Sequence, residues 1–310
     1  MQNPVSFYFW AHNQPGELNK ELLERLIMQN DTVYVESATG TIEERETVQS
    51  LENDLNTYLQ KDIINEGFDE RLCLLNRDWF HKFLIGTIKG KNKRILYERS
   101  DPGGSRLGNL DALTDEACLS IPFNMALELK EKYLICERDY NLRREAQVIG
   151  HLREHPEALL VFFGAAHLGL VSKMERQRPC RVYFPYADYP TRYCVQLRMV
   201  FEKEGEIDRD LYRRSAMERL VRKTLYEKYK KISARQTNNT AHTIAKILSL
   251  DKILEFIEYL HRCSSLCGGR ETDMLESFLQ KESLPSIPEV LESLEEPEPP
   301  RRSNLMVMEF

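Results

Sequence analysis

Apolar residues recur along the chain with two different periods, and the places where the period changes mark its elements. Val5 to Ala11 is apolar or aromatic except for Ser6, which predicts a buried strand, and Asn13-Gln14-Pro15-Gly16-Glu17 follows with turn chemistry. Leu18, Leu22, Leu23, Leu26 and Ile27 sit at helical spacing, and Asn30-Asp31 break it before a second strand, Thr32-Val33-Tyr34-Val35-Glu36. A polar helical stretch (Thr41 to Gln60) and a helix around Trp79-Phe80 precede a third strand, Arg94 to Glu98, which leaves through Asp101-Pro102-Gly103-Gly104. Leu107 to Leu152 has mainly helical spacing with a break near Pro122, and feeds Leu159 to Phe163, an uninterrupted apolar strand ended by Gly164. Arg181 to Phe184 predicts a further strand. Tyr193, Val195, Leu197, Met199 and Phe201 alternate with other residues, which predicts a half-buried edge strand.

Strands separated by helices predict an α/β fold, with a central, mainly parallel sheet flanked by helices. Beyond Gly205 the strand signal stops. Charged amphipathic helices are expected over Glu206 to Ala234 and Thr240 to Arg262, and the Pro- and Glu-rich end (Glu295-Glu296-Pro297-Glu298-Pro299-Pro300) predicts a mobile tail. The expected division is an α/β domain over 1–204, a helical appendage over 205–283 and a disordered acidic tail over 284–310.

Charge and composition narrow the partners. The formal net charge is -6, which argues against a nucleic-acid-binding protein or wholesale attraction to anionic membrane. Arg209 to Arg235 is locally basic with interleaved tyrosines, and it reads as a solvated helix face or as a surface for phosphates or an acidic partner, so residues 205–283 are a candidate protein-binding region. The longest apolar stretch, Ala158 to Val171, falls short of the roughly 20 residues that span a bilayer. The start lacks a basic region and a secretory apolar core. Seven scattered cysteines fit reduced thiols better than a disulfide framework, so a cytoplasmic location is expected. His261, Cys263 and Cys267 have no second pair at the spacing a structural zinc site needs.

Candidate chemistry sits at strand ends, because parallel strands gather residues distant in sequence at the carboxyl rim of a sheet. His12 follows the first strand and Glu36 ends the second. His167 follows the fourth in Gly164-Ala165-Ala166-His167, where three small residues allow a tight turn while the imidazole projects outward. Glu98 and Asp101 are weaker members of the same rim, since an acidic strand end followed by Asp-Pro-Gly-Gly is more often a plain turn. Two imidazoles and a carboxylate are a common catalytic set for a divalent metal with one position open to water, and without metal a His held by Glu can deprotonate water directly.

These segments resemble the Tiki/TraB superfamily, which includes the erythromycin esterases and the haem-binding ChaN-like proteins, over roughly residues 5 to 200. The similar features are the strand leading to His12, the strand ending in Glu36, Arg138-Asp139-Tyr140-Asn141-Leu142 as a late helix start, and Leu160-Val161-Phe162-Phe163-Gly164-Ala165-Ala166-His167-Leu168. The chain departs from that pattern at position 9, which is Phe where the family has Gly. The resemblance implies that His12, Glu36 and His167 bind a divalent metal or activate water, with Arg138 as helper, to cleave an ester, lactone or amide of a small molecule or peptide. Arg138 is equally read as a salt bridge pinning a helix start, to Glu36 or Glu98. Two other readings stay open: a non-catalytic binder of a small molecule or haem, and an interaction protein acting through its helical region.

Overall fold

The structure is a computed structural model that describes residues 3–10, 19–36, 42–76, 79–99, 121–164, 167–185, 192–229, 232–267, 271–294 and 308–309. His12, Asp101, Ala165, Ala166 and the acidic run 295–300 lie outside them.

Five parallel strands form the sheet: β1 (Val5–Trp10), β2 (Thr32–Val35), β3 (Arg94–Tyr97), β4 (Leu159–Gly164) and β5 (Cys180–Tyr183), in the order β3-β2-β4-β1-β5. Met308–Glu309 (β6) adds antiparallel to β5. Helices α1 (Lys20–Gln29), α2 (Ile42–Lys61), α3 (Phe68–Leu75), α4 (Trp79–Ile88), α5 (Phe123–Arg153) and α6 (Gly169–Met174) connect them. The fold is therefore α/β, as the alternation of periods predicts.

β4 is buried at every position because it lies between β1 and β2 and is covered on both faces. On one face Tyr8, Val33, Val35, Leu160 and Phe162 pack against Leu23, Leu26 and Ile27 of α1 and Phe80, Leu84 and Ile85 of α4. On the other, Tyr34 stacks on Phe163 with centroids 6.0 Å apart and meets His151 of α5 edge-on. Removing each such side chain from water is worth about 1.5–3 kcal/mol, so the apolar runs read in the sequence are the main stabilisers of this sheet.

The amino ends of β1 and β4 are fastened by Arg178, whose guanidinium donates to the carbonyls of Asn3 (2.8 Å), His155 (2.6 Å) and Glu157 (2.6 Å). Burial pushes this group below the usual arginine range. An ammonium lacks the planar fork that reaches all three carbonyls, so Arg178→Lys is expected to cost roughly 2–4 kcal/mol of unfolding free energy. Urea titration of the variant checks this, and a loss within about 0.5 kcal/mol would contradict it.

The chain divides into two compact units: residues 1–104, 140–187 and 305–310 in one, and 105–139 and 188–304 in the other. The helical unit thus starts before the expected break at 204/205 and includes the first part of α5. Its helices are α7 (Tyr193–Glu204), α8 (Arg209–Lys228), α9 (Ala234–Ile247), α10 (Leu250–Cys267), α11 (Glu271–Lys281) and α12 (Ile287–Ser293). They enclose a second core that includes Met217, Val221, Ile244, Phe256 and Leu279.

Two expectations are corrected here. The segment expected as an edge strand is α7. Its N-terminal amides at Tyr193 and Cys194 donate to the Glu218 carboxylate, Leu197 and Phe201 are buried one turn apart, and Gly205 ends it in a left-handed conformation at φ 78°. The expected mobile tail begins too early at 284, because Ser286 and Glu289 form a reciprocal cap for α12 and Ile287 and Val290 are buried in the helical core. Within the basic stretch, Arg214 donates to the carbonyl of Ala245 at 2.5 Å and so closes the end of α9, and part of that charge is consumed internally. Among the described residues no helix is long and apolar enough to cross a membrane.

Candidate functional site

The chain leaves β2 toward β3 on one side of the sheet and β4 toward β5 on the other. The β2–β4 boundary is therefore a topological switch point, where parallel sheets open a crevice beyond their carboxyl ends. Val35 lies level with Phe162 and with Tyr97, so the residues that follow, Glu36 and Glu98, stand side by side at this rim. Glu36 Oε2 accepts from the Gly164 amide at 2.6 Å, which ties the end of β2 to that of β4.

Arg144, from the last third of α5, reaches into this rim. It donates to Glu98 through Nε (2.6 Å) and Nη2 (2.5 Å), and Nη2 also donates to Glu36 Oε1 at 2.7 Å. Such a forked pairing is the strongest geometry available to a guanidinium and a carboxylate. The Arg144 guanidinium is held above the usual arginine range: burial works against the charge, and the Glu98 hydrogen bonds outweigh it. Nη1 lies 2.9 Å from His167 Nε2, and the ring meets Phe163 edge-on at 5.4 Å. His167 Nε2 is 3.3 Å from Glu36 Oε1, and Nδ1 is 3.7 Å from Glu145 Oε1. Glu145 in turn pairs with Lys173. Its carboxylate lies against Gly169, where a Cβ would come within 2.8 Å of Oε2, so the turn after His167 must stay small to admit it.

Two pulls on the imidazole compete. An arginine N–H only donates, so the Arg144 contact is a hydrogen bond when Nε2 is bare. Three carboxylates (Glu36, Glu98, Glu145) and two fixed cations (Arg144, Lys173) meet around the ring, and protonation of His167 adds a further positive charge beside the carboxylates. Burial alone would lower the imidazole, but Glu145 and Glu36 outweigh it and push it up to about 9, so the imidazolium is the resting form. Since the folded state holds this proton more tightly than an unfolded chain at 6.5, the resulting stability is complete below pH 6.5 and fades as pH rises toward 9. Wild-type protein is expected to lose a few kcal/mol across that window and His167→Gln to lose much less, as read from urea midpoints. Parallel curves for the two proteins would contradict this.

Of the residues expected at the site, Glu36 and His167 come together, and Glu98 joins them. His12 lies outside the described residues, although its strand partners β4 with Trp10 level with Gly164. Arg138 is not among them. It lies in mid-helix rather than at a helix start, within the helical unit, with its guanidinium 5.3 Å over the Phe201 ring. Among the described residues the arginine that contacts Glu36, Glu98 and His167 is Arg144. Phe9, where the resemblance expects Gly, is fully buried and stacks on Phe7 at 5.8 Å, so it serves the core.

Among the described residues no group of three His, Cys, Asp or Glu side chains is disposed to hold a metal ion. Glu36 and His167 face the Arg144 guanidinium, which already supplies the positive charge between them. Arg144 and Glu145 were missed by sequence reasoning although a signal existed: with Asn141, Val148 and Leu152 they continue the buried stripe of α5, and charged residues on such a stripe call for buried partners. No family model, curated protein or solved structure matches the chain.

Proposed function

We propose that the chain is a hydrolase that cleaves an ester, lactone or amide by acid–base chemistry at the β2–β4 rim, on the pattern its resemblance to the Tiki/TraB superfamily implies. The observation that carries this reading is the convergence of Glu36, Glu98 and His167 from three strand ends with Arg144 and Glu145 of α5 at a topological switch point. Glu36, the more accessible carboxylate at 12% exposure, takes a proton from water as the water oxygen bonds to the carbonyl carbon. The His167 imidazolium gives its proton to the departing alkoxide or amine as that bond breaks, and Arg144 balances the negative charge that passes through the oxyanion. The proton taken by Glu36 then restores His167.

Hydrolysis of a panel of aryl esters, lactones and anilides by the purified chain tests this, with and without chelator. Turnover insensitive to chelator assigns the work to the side chains alone. Turnover lost and restored by a divalent ion would place a metal with His12, Glu36 and His167. A second reading rests on burial: with Glu98 at 0% and His167 at 5% side-chain exposure, the network is a clasp that fastens the strand ends beneath a non-catalytic site for a small molecule or haem. Absence of turnover, together with a spectral shift on adding haem, would favour it.

A further inference from the structure

Away from the rim, α1 and α4 pack side by side on one face of the sheet and leave between them a groove of about 670 Å³, within the usual range for small-molecule sites. Its floor is aromatic, formed by the half-buried Trp79 and Phe83, and its walls carry Lys20, Lys82 and Lys91. Lys20 Nζ stands 5.9 Å above the Trp79 ring, and Lys91 Nζ reaches only the Met28 sulfur at 3.9 Å. No described carboxylate pairs with any of the three ammonium groups, and among the described lining residues Glu24 is the one acidic side chain. A net positive groove on a chain of formal charge -6 is a local departure that concentrates anions.

Gly86 adds an independent observation. It lies within α4, lines the groove, and has no positive φ that would call for glycine. A Cβ there would meet nothing within 4 Å, so no packing demand excludes a side chain, yet the helix carries its weakest ordinary former. What glycine does provide is an open backbone surface for close approach of a flat ligand.

We propose that the α1–α4 groove binds an aromatic anion: a flat ring stacked on Trp79 and passing over Gly86, with a phosphate or carboxylate group between Lys20, Lys82 and Lys91. This site is separate from the rim and does not rest on the hydrolase reading. Titration calorimetry of the full chain with adenosine diphosphate, adenosine and pyrophosphate tests it. Adenosine diphosphate is expected to bind at least tenfold more tightly than either fragment, with affinity falling as salt rises. Gly86→Leu should abolish that binding while leaving the thermal midpoint unchanged or raised, Lys20→Ala with Lys82→Ala should weaken it about tenfold or more, and His167→Gln should leave it unchanged. Pyrophosphate binding as tightly as the nucleotide would overturn the aromatic part, adenosine doing so would overturn the role of the lysines, and no heat at millimolar ligand, or a folded Gly86→Leu that still binds, would overturn the site.

Discussion

Arg144→Ala is expected to cost the α/β unit about 3–5 kcal/mol, the range found when one partner of a buried ion pair is removed. The guanidinium is 7% exposed and holds Glu98, itself wholly buried, through two hydrogen bonds, and Glu36 through a third. Without it, two carboxylates at the ends of adjacent strands lose the cation that stands between them. They must then either stay charged at a high desolvation cost or take up protons. The variant should therefore recover part of its stability at acid pH, where the wild type does not. Arg144→Lys is expected to rescue little, because an ammonium cannot reproduce the fork onto Glu98. Combining Arg144→Met with Glu98→Gln should cost clearly less than the sum of the two changes, since each removes the other's unpaired partner. Additive losses in urea unfolding would mean that the two groups are not coupled as the distances imply.

The second large effect falls on turnover. Under the proposed chemistry, His167→Gln removes the proton donor but keeps a polar side chain of similar reach, and kcat on the best substrate of the panel is expected to fall by about 10²–10⁴, the usual contribution of one general acid or base. Glu36→Gln should fall by a similar factor. The double variant should be little worse than either alone, because the two groups pass one proton between them. On the same reading, kcat of the unsubstituted chain should decline as pH rises through about 9, where His167 loses its proton, and that alkaline limb should disappear in His167→Gln. Circular dichroism of each variant separates lost chemistry from lost structure. Wild-type turnover in a folded His167→Gln protein would remove His167 from the mechanism.

What the sequence disclosed follows from how directly each feature is written in it. Glu36 and His167 were legible because each ends an apolar run whose length and β-branched or aromatic content mark a buried strand, and parallel pairing brings such ends to one rim. Glu98 was legible for the same reason. Arg144 was not, because α5 carries several arginines over Phe123–Arg153 and only the phase of its buried stripe tells which one turns toward the sheet. The late-helix resemblance drew attention to Arg138, whose surroundings are Phe201 and Gly205 of the helical unit. Over Tyr193 to Phe201 a two-residue alternation and a helical stripe select overlapping residues, and the outcome is decided by partners remote in sequence, above all the Glu218 carboxylate on the first amides. The last helix was hidden differently. The composition of 295–300 coloured the whole end of the chain, while the Ser286–Glu289 cap and the apolar spacing of Ile287, Val290 and Leu291 lay just before it.

Convergence of residues far apart in the chain on one imidazole is the claim from which the stability, the pH dependence and the chemistry all derive. A titration of the ¹⁵N-labelled histidine ring nitrogens by NMR, with the His167 signals identified by their loss in His167→Gln, measures it directly. His167 is expected to titrate near 9, and to move downward in both Glu36→Gln and Glu145→Gln while the remaining histidines stay in place. A His167 signal that titrates near 6.5 and ignores both substitutions would contradict the site.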